Sequence, residues 1–311
     1  MPSDAGPVAD DGYEFALCLT HDVDRPYKTV AHSLYHAVRD RRLSHLLDVV
    51  RSDRPYWQFD DLMAVEEDLG VRSALYFLSE RRLTELAPSE LFDAETLVQQ
   101  FGRYDVRSAA FEDVLARLDG GGWEVGLHGS FATATDRERL VHEKRRLEDA
   151  LGHPIVGGRQ HYLRLSVPET WRHYADAGLR YDASLGSSRD YGFDHGYGVR
   201  RPLDDEFVVF PLTLMEVTLP DPGSNTDEAW HACENLLTEA AANDAVMTVL
   251  WHPRYFNERE FPGYRRLYRR LVERALEMSA WVGPPADLYR EHLATARDES
   301  SHAVGPSTDP N

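Results

Sequence analysis

The chain has 311 residues, of which 42% are hydrophobic, and its formal net charge is −19. That apolar fraction is ample for a folded core and excludes wholesale disorder, while the negative charge disfavours binding to nucleic acid or to an anionic membrane. No apolar run reaches the length of a membrane span, and the acidic N-terminus lacks a signal-peptide pattern. We therefore expect a cytoplasmic protein that does not insert into membranes.

The composition carries two further indications. Only Lys28 and Lys144 are lysines among the 34 basic residues. High acidity with so little lysine is typical of proteins adapted to high salt and encoded by a GC-rich genome. The two cysteines, Cys18 and Cys233, show neither metal-ligand nor redox spacing, so both are predicted to be small buried residues.

The chain begins with an aperiodic stretch at residues 1–12, predicted to be a flexible tail, and its first strand pattern covers residues 14–20. The odd positions of this strand are large and apolar, whereas the even positions are small. They are Phe15, Leu17 and Leu19 on one face and Ala16, Cys18 and Thr20 on the other. A large outer face and a small inner face are typical of a barrel strand covered by helices.

Strand and helix patterns then alternate along the chain. Predicted strands cover residues 71–78, 123–128, 155–159, 179–184, 207–219 (one or two strands around Pro211), 246–251 and 281–282. Predicted helices cover residues 28–51, 59–69, 108–118, 136–151, 168–177, 226–242 and 264–278, and an insertion at 79–106 contains a short helix at 95–100.

This alternation implies parallel β–α units. We predict an α/β fold: one domain over residues 13–293, a distorted (β/α) barrel of seven or eight strands, followed by a disordered tail at 294–311. An open doubly wound sheet is the alternative, but no glycine-rich phosphate loop follows the first strand.

Polar residues follow five of the predicted strands, at the ends where a barrel places its chemistry. They are Asp22 and Asp24; His128 and Ser130; Arg159, His161 and Tyr162; Asp182; and Trp251 and His252. Side chains alternate along a strand, so Asp22 and Asp24 share one face and His21 points toward the helices. A lone histidine or Asp-x-Asp pair is more often structural, but the coincidence at five strand ends favours a site.

In this order, the segments resemble the polysaccharide deacetylase superfamily (NodB homology, carbohydrate esterase family 4). The similar motifs are D-x-D at 22–24, E-x-G-L-H-x-S at 124–130, R-x-x-Y at 159–162, Y-D-x-S at 181–184 and L-W-H-P at 250–253. The segments GLHGS and RQHYLR are similar to a divergent subgroup. The resemblance covers about residues 15–252, and it implies a distorted barrel and metal-assisted removal of an N-acetyl group from a sugar.

The resemblance also implies roles for individual residues. Asp22 would be the catalytic base, oriented by Arg159, and His252 would be the acid, with Asp182 as the candidate that orients it. The backbone N–H of Tyr162 would face the oxyanion. The candidate substrate-binding residues are Ser130, Tyr162 and Trp251.

The implied cofactor is a divalent metal, usually zinc, held by Asp24 and His128. The family's second histidine lies four residues after the first, and that position is Ala132 here. Because catalytic zinc sites normally supply three protein ligands, His161 is the candidate third ligand, with Ser130 and Thr133 as weaker oxygen donors. The alternative is a site that binds no metal.

We therefore expect a hydrolase of non-peptide C–N bonds, acting on an N-acylated sugar, a glycan precursor or another N-acyl small molecule. Two alternatives remain open at this point. One is a metal-independent amide hydrolase, and the other is a catalytically inactive barrel that binds carbohydrate.

Overall fold

The computed structural model describes residue 8 and residues 11–24, 26–27, 55–80, 103–203 and 206–294. The predicted helix at 28–51, the predicted short helix at 95–100 and most of both predicted tails lie outside these residues. No helix in the described ranges is long and apolar enough to cross a bilayer.

One parallel sheet organises the described residues. Its strands are β1 (Phe15–Val23), β2 (Ala74–Leu78), β3 (Glu124–Gly129), β4 (Gly157–Gln160), β5 (Tyr181–Asp182), β6 (Val208–Val209), β7 (Leu212–Met215), β8 (Val246–Leu250) and β9 (Ala280–Gly283). The order is β6-β5-β4-β3-β2-β1-β8-β7, and β9 pairs with β1. Every pairing between these strands is parallel.

The sheet is curled into a half-barrel. Strands β6 and β7 stand at opposite ends of the strand order, yet only Phe210 and Pro211 separate them in sequence. Because one residue spans at most about 3.6 Å, the two ends of the sheet must approach each other. The segment predicted to hold one or two strands around Pro211 is therefore two strands, and the predicted barrel is confirmed.

Six of the described helices lie where the sequence predicted them, within a few residues. They are α1 (Phe59–Leu69), α2 (Ala109–Gly120), α3 (Arg137–Leu151), α4 (Glu169–Asp176), α5 (Thr226–Ala242) and α6 (Tyr264–Glu277). A seventh, α7 (Pro285–Leu288), was not predicted. Local signals explain two of the ends. The Asp136 side chain accepts a hydrogen bond from the Arg139 N–H at the start of α3, and Gly70, with φ 70°, ends α1.

The two faces of β1 pack as their side-chain sizes predicted. Phe15, Leu17 and Leu19 lie in an outer apolar cluster with residues of α5 and α6, whereas Ala16 and Cys18 lie inside the barrel. Small residues on the inner face leave room for large side chains from the other strands, including Tyr76 and Tyr181. Cys18 and Cys233 are both buried, as predicted.

The end of the barrel opposite the strands' carboxyl ends is closed by the last described segment. Ala286, Leu288 and Tyr289 pack into the interior cluster, and the Ala286 N–H donates a hydrogen bond to Glu124 at the first residue of β3. This segment therefore covers the amino-terminal ends of the strands.

A buried carboxylate connects β1 to the outer helices. Glu66 of α1 accepts hydrogen bonds from His21 Nε2 (2.9 Å), and further ones from the Tyr268 hydroxyl (2.5 Å), Ser73 Oγ (2.8 Å) and Trp123 Nε1 (2.7 Å). The other ring nitrogen of His21 donates to the Trp251 carbonyl. His21 thus faces the helix layer, as predicted, and links the segments that carry Asp22 and His252.

We predict that Glu66→Leu destabilises the fold by about 3 kcal/mol or more, because it leaves four buried donors without their acceptor. Urea denaturation followed by circular dichroism measures this loss. The matched control is Glu67→Leu, since Glu67 is exposed on the same helix. Equal effects of the two substitutions would contradict the importance of the network.

Candidate active site

Most of the predicted site residues converge at the carboxyl ends of β1, β3, β4 and β8. Asp22 lies near the end of β1, His128 is the penultimate residue of β3, and Arg159 is its register partner on β4. Asp24 and His161 follow directly after β1 and β4, and His252 lies two residues after the end of β8. Parallel strands bring these ends to one rim, as the sequence predicted.

Asp24 is the centre of this rim. Its Oδ1 lies 2.9 Å from His128 Nε2 and 3.5 Å from His161 Nε2. Its Oδ2 lies 3.2 Å from His252 Nε2 and 3.6 Å from Arg254 Nη1. One carboxylate thus faces three imidazoles and one guanidinium.

These contacts govern the ionisation of Asp24. Burial by itself would raise the pKa of this carboxyl, but hydrogen bonds from His128 and His252 hold it well below its ordinary value. For His128 both effects on the pKa have the opposite direction. Burial acts to lower its pKa, and the charges of Asp22 and Asp24 outweigh that effect and raise it.

Asp24, His128 and His161 could together hold a metal ion. One ligand atom from each lies within 4.8 Å of the others. His128 Nδ1 lies 3.0 Å from the Arg159 carbonyl, so Nδ1 carries the proton and Nε2 faces the potential metal position. Two imidazole nitrogens and one carboxylate oxygen form a donor set that suits zinc. The donor chemistry therefore fits a divalent ion, with His161 in place of the histidine missing at Ala132.

Asp22 is held by Arg159, which is itself held by further contacts. Its Oδ1 accepts a hydrogen bond of 2.9 Å from Arg159 Nη1, and Arg159 Nη1 also lies 2.9 Å from Thr20 Oγ1. Arg159 is fully buried and donates through Nε to the Ala183 carbonyl, so it cannot swing away from the site. The Asp22–Arg159 contact is the one that the resemblance implied, and the roles of base and orienting arginine stay predictions.

The partner of His252 differs from the prediction. His252 Nδ1 lies 2.7 Å from Glu216 Oε1, and Glu216 directly follows β7, the strand beside β8. Burial acts to lower the pKa of His252, but the Glu216 charge raises it to about 9.

Asp182 is not the residue that orients His252, which corrects the sequence-based assignment. The strand that carries Asp182, β5, is four strands away from β1 in the sheet, on the side opposite β8. Its carboxylate accepts hydrogen bonds from Trp171 Nε1 (3.0 Å) and Ser184 Oγ (2.5 Å). Burial raises the pKa of Asp182 to about 6. These contacts indicate a structural role for Asp182.

Of the three candidate substrate-binding residues, only Tyr162 is placed to meet a ligand. It is 64% exposed, stacks on His161 with ring centres 4.0 Å apart, and adopts a left-handed backbone with φ 59°. A non-glycine residue in that conformation is uncommon outside sites that require it.

Ser130 and Trp251 do not face the rim, and this corrects their assignment. Ser130 is buried and donates its hydroxyl proton to Glu143 of α3. Trp251 is 0% exposed and packs in the outer cluster against Tyr268. Strand alternation explains the second result, because Trp251 and His252 are adjacent and must point to opposite sides. Thr133, the weaker ligand candidate, is also buried and bonded to Gln160.

Two residues at the site were missed by the sequence interpretation. Glu216 stands directly after a strand, the position that identified the other candidates, but the end of β7 was not located within the segment 207–219. Arg254 lies two residues after His252, on a short 3-10 turn at Pro253–Phe256. A charged residue so close to a strand-end histidine was the available signal.

The sequence matches no protein-family model and no curated protein. Among solved structures, the chain is similar to a protein from Mycobacterium smegmatis assigned as a polysaccharide deacetylase, with a TM-score of 0.60 and 16% identity, over 99% of this chain and 98% of that one. A second structure with that assignment, from Pseudomonas aeruginosa PAO1, has a TM-score of 0.58 and 16% identity over 93% and 96%. An allantoinase has a TM-score of 0.57 and 14% identity over 94% and 96%. The chain therefore has the polysaccharide deacetylase fold.

We predict that Glu216→Gln lowers the pKa of His252 from about 9 toward its ordinary value of 6.5, because the raising charge is removed. NMR titration of the His252 ring in metal-free protein measures this change. The comparison variant is Asp182→Asn, which leaves the His252 titration unaltered since Asp182 does not contact it. If Asp182→Asn lowered the pKa of His252 and Glu216→Gln left it unchanged, Asp182 would be the orienting residue after all.

Proposed function

We propose that this chain is a hydrolase of amide C–N bonds, and that it removes the N-acetyl group of a sugar or glycan precursor. The observation that carries the proposal is the placement of a candidate base and a candidate acid around one carboxylate. Asp22 Oδ2 lies 3.9 Å from His128 Nε2, and the same nitrogen lies 2.9 Å from Asp24 Oδ1. On the other side, His252 Nε2 lies 3.2 Å from Asp24 Oδ2.

In this proposal Asp22 takes the proton from the attacking water. The hydrogen bond from Arg159 Nη1 fixes the Asp22 carboxylate, so that its Oδ2 is directed toward the rim. A base held in this way loses little entropy when the reaction begins, which is the usual benefit of a positioned general base.

His252 then gives a proton to the leaving amine. A pKa of about 9 means that this imidazole is protonated at neutral pH, as an acid must be before it donates. Glu216 both raises that pKa and holds the ring by its Nδ1, leaving the Nε2 proton directed into the site. The backbone N–H of Tyr162 is the proposed donor to the oxyanion.

Asp24, His128 and His161 are the proposed ligands of a divalent metal, and zinc suits their chemistry. A metal ion held there would supply Lewis acidity to polarise the acyl carbonyl. Metal-independent amide hydrolysis and simple carbohydrate binding are the alternatives, and the two experiments below separate them.

We predict that the purified protein binds one zinc ion, and that His161→Ala and His128→Ala each abolish stoichiometric binding, because a third protein ligand is required. Elemental analysis and competition with a fluorescent chelator measure the metal. The matched control is His153→Ala, since His153 is exposed and pairs with Asp119 away from the rim. Full zinc binding by His161→Ala would remove His161 from the ligand set.

We also predict that Asp22→Asn lowers kcat for acetate release from N-acetylated amino sugars at least about 100-fold, as expected for loss of a general base. The control, Asp149→Asn, changes an exposed aspartate on α3 and retains activity. Full activity of Asp22→Asn would show that Asp22 is not the base. Release of acyl groups by metal-free protein would favour the metal-independent alternative, and no release from any substrate would favour the binding barrel.

A further inference from the structure

We propose that the substrate carries an anionic group, a phosphate or a carboxylate, and that Arg254 binds it. The inference rests on the proposed amide hydrolysis and names the substrate class of that same site. Arg254 would then be a specificity-determining residue.

The position of Arg254 suits this role. It follows His252 on the turn at Pro253–Phe256 and lines one cleft together with Asp22, Asp24, His252 and Tyr56. Its side chain is 23% exposed, so the guanidinium is partly desolvated but still reachable from the rim. A ligand at the proposed base and acid would therefore lie next to it.

The other charges of the site are already matched. The Asp22 carboxylate has a 2.9 Å ion pair with Arg159, and the Glu216 carboxylate has a 2.7 Å contact with His252. Arg254 faces Asp24 at 3.6 Å, which is longer than a hydrogen bond, and it also has a side-chain hydrogen bond to Tyr255. A guanidinium has five N–H donors, so this bond occupies only part of them.

Asp24 is also the carboxylate to which His128 and His252 donate hydrogen bonds. It is moreover the only acid in the candidate metal set among the described residues. Its charge is thus shared among several cationic groups, and Arg254 keeps guanidinium donors for another acceptor. Planar guanidinium donors match phosphate and carboxylate oxygens in a bidentate manner.

The charge of the whole chain makes such a local contact necessary for an anionic substrate. A net charge of −19 repels anions at long range, and salt screens that repulsion beyond about 8 Å. Recognition of an anion must then come from a cation at contact distance. Arg254 supplies one beside the proposed reaction centre.

The first test compares matched substrates. We expect kcat/KM for N-acetylglucosamine 1-phosphate or 6-phosphate, or for the carboxylate N-acetylmuramic acid, to exceed that for neutral N-acetylglucosamine by about ten- to hundredfold. Arg254→Gln should reduce this ratio to near one, and Arg254→Lys should retain part of it. Which anionic sugar is preferred distinguishes a phosphate from a carboxylate.

The second test does not depend on turnover. Calorimetric titration of the purified protein with inorganic phosphate should give a Kd about tenfold lower for wild type than for Arg254→Gln. The control is Arg180→Gln, which removes the same charge from an exposed arginine directly before β5, at the opposite end of the barrel. It should bind phosphate as wild type does.

The outcomes separate the two proposals. Equal hydrolysis of neutral and anionic sugars, with phosphate binding unaffected by Arg254→Gln, would overturn the role of Arg254 and leave the amide hydrolase in place. Phosphate binding that depends on Arg254, without hydrolysis of any sugar, would support the anion site and contradict the proposed reaction. Loss of phosphate binding in Arg180→Gln as well would mean that only net charge matters, which also overturns the proposal.

Discussion

The arrangement of the site depends on one carboxylate, Asp24, surrounded by three imidazoles and a guanidinium. These cationic or protonatable groups come from β3, from the turn after β4 and from the turn after β8. Without the negative charge, they would repel one another in a largely buried space. Asp24 therefore does more than offer a ligand atom, since it makes the close approach of the other side chains possible.

Most of the fold could be predicted because the signals are local. Alternation of large and small residues along β1 predicted which face points outward and which points into the barrel. Asp136 and Gly70 indicated where α3 begins and α1 ends, and α1 and α5 have the predicted bounds. The shortest strands were less predictable. In the structure β5 has two residues where six were expected, since pairing with neighbours, rather than local pattern, decides where such a strand ends.

The site was only partly predictable, and the errors have physical reasons. Asp22, Arg159 and His128 were found because each lies at a strand end. Asp182 was paired with His252 because of the family resemblance. Strand order in the sheet, which the sequence does not reveal, puts Glu216 next to His252 instead. Trp251 was assigned to the substrate although alternation already directs it away from His252.

The pairing of β1 also determines when the fold can be completed. This strand carries Asp22, yet it pairs with β8 and β9, more than 200 residues later in the chain. At typical rates of synthesis, roughly 10–50 s separate its emergence from the ribosome and that of these partners. Contacts of such high sequence separation make folding slow. The strand that bears the proposed base is therefore made early and completed late, so that function appears only when nearly the whole barrel has been synthesised.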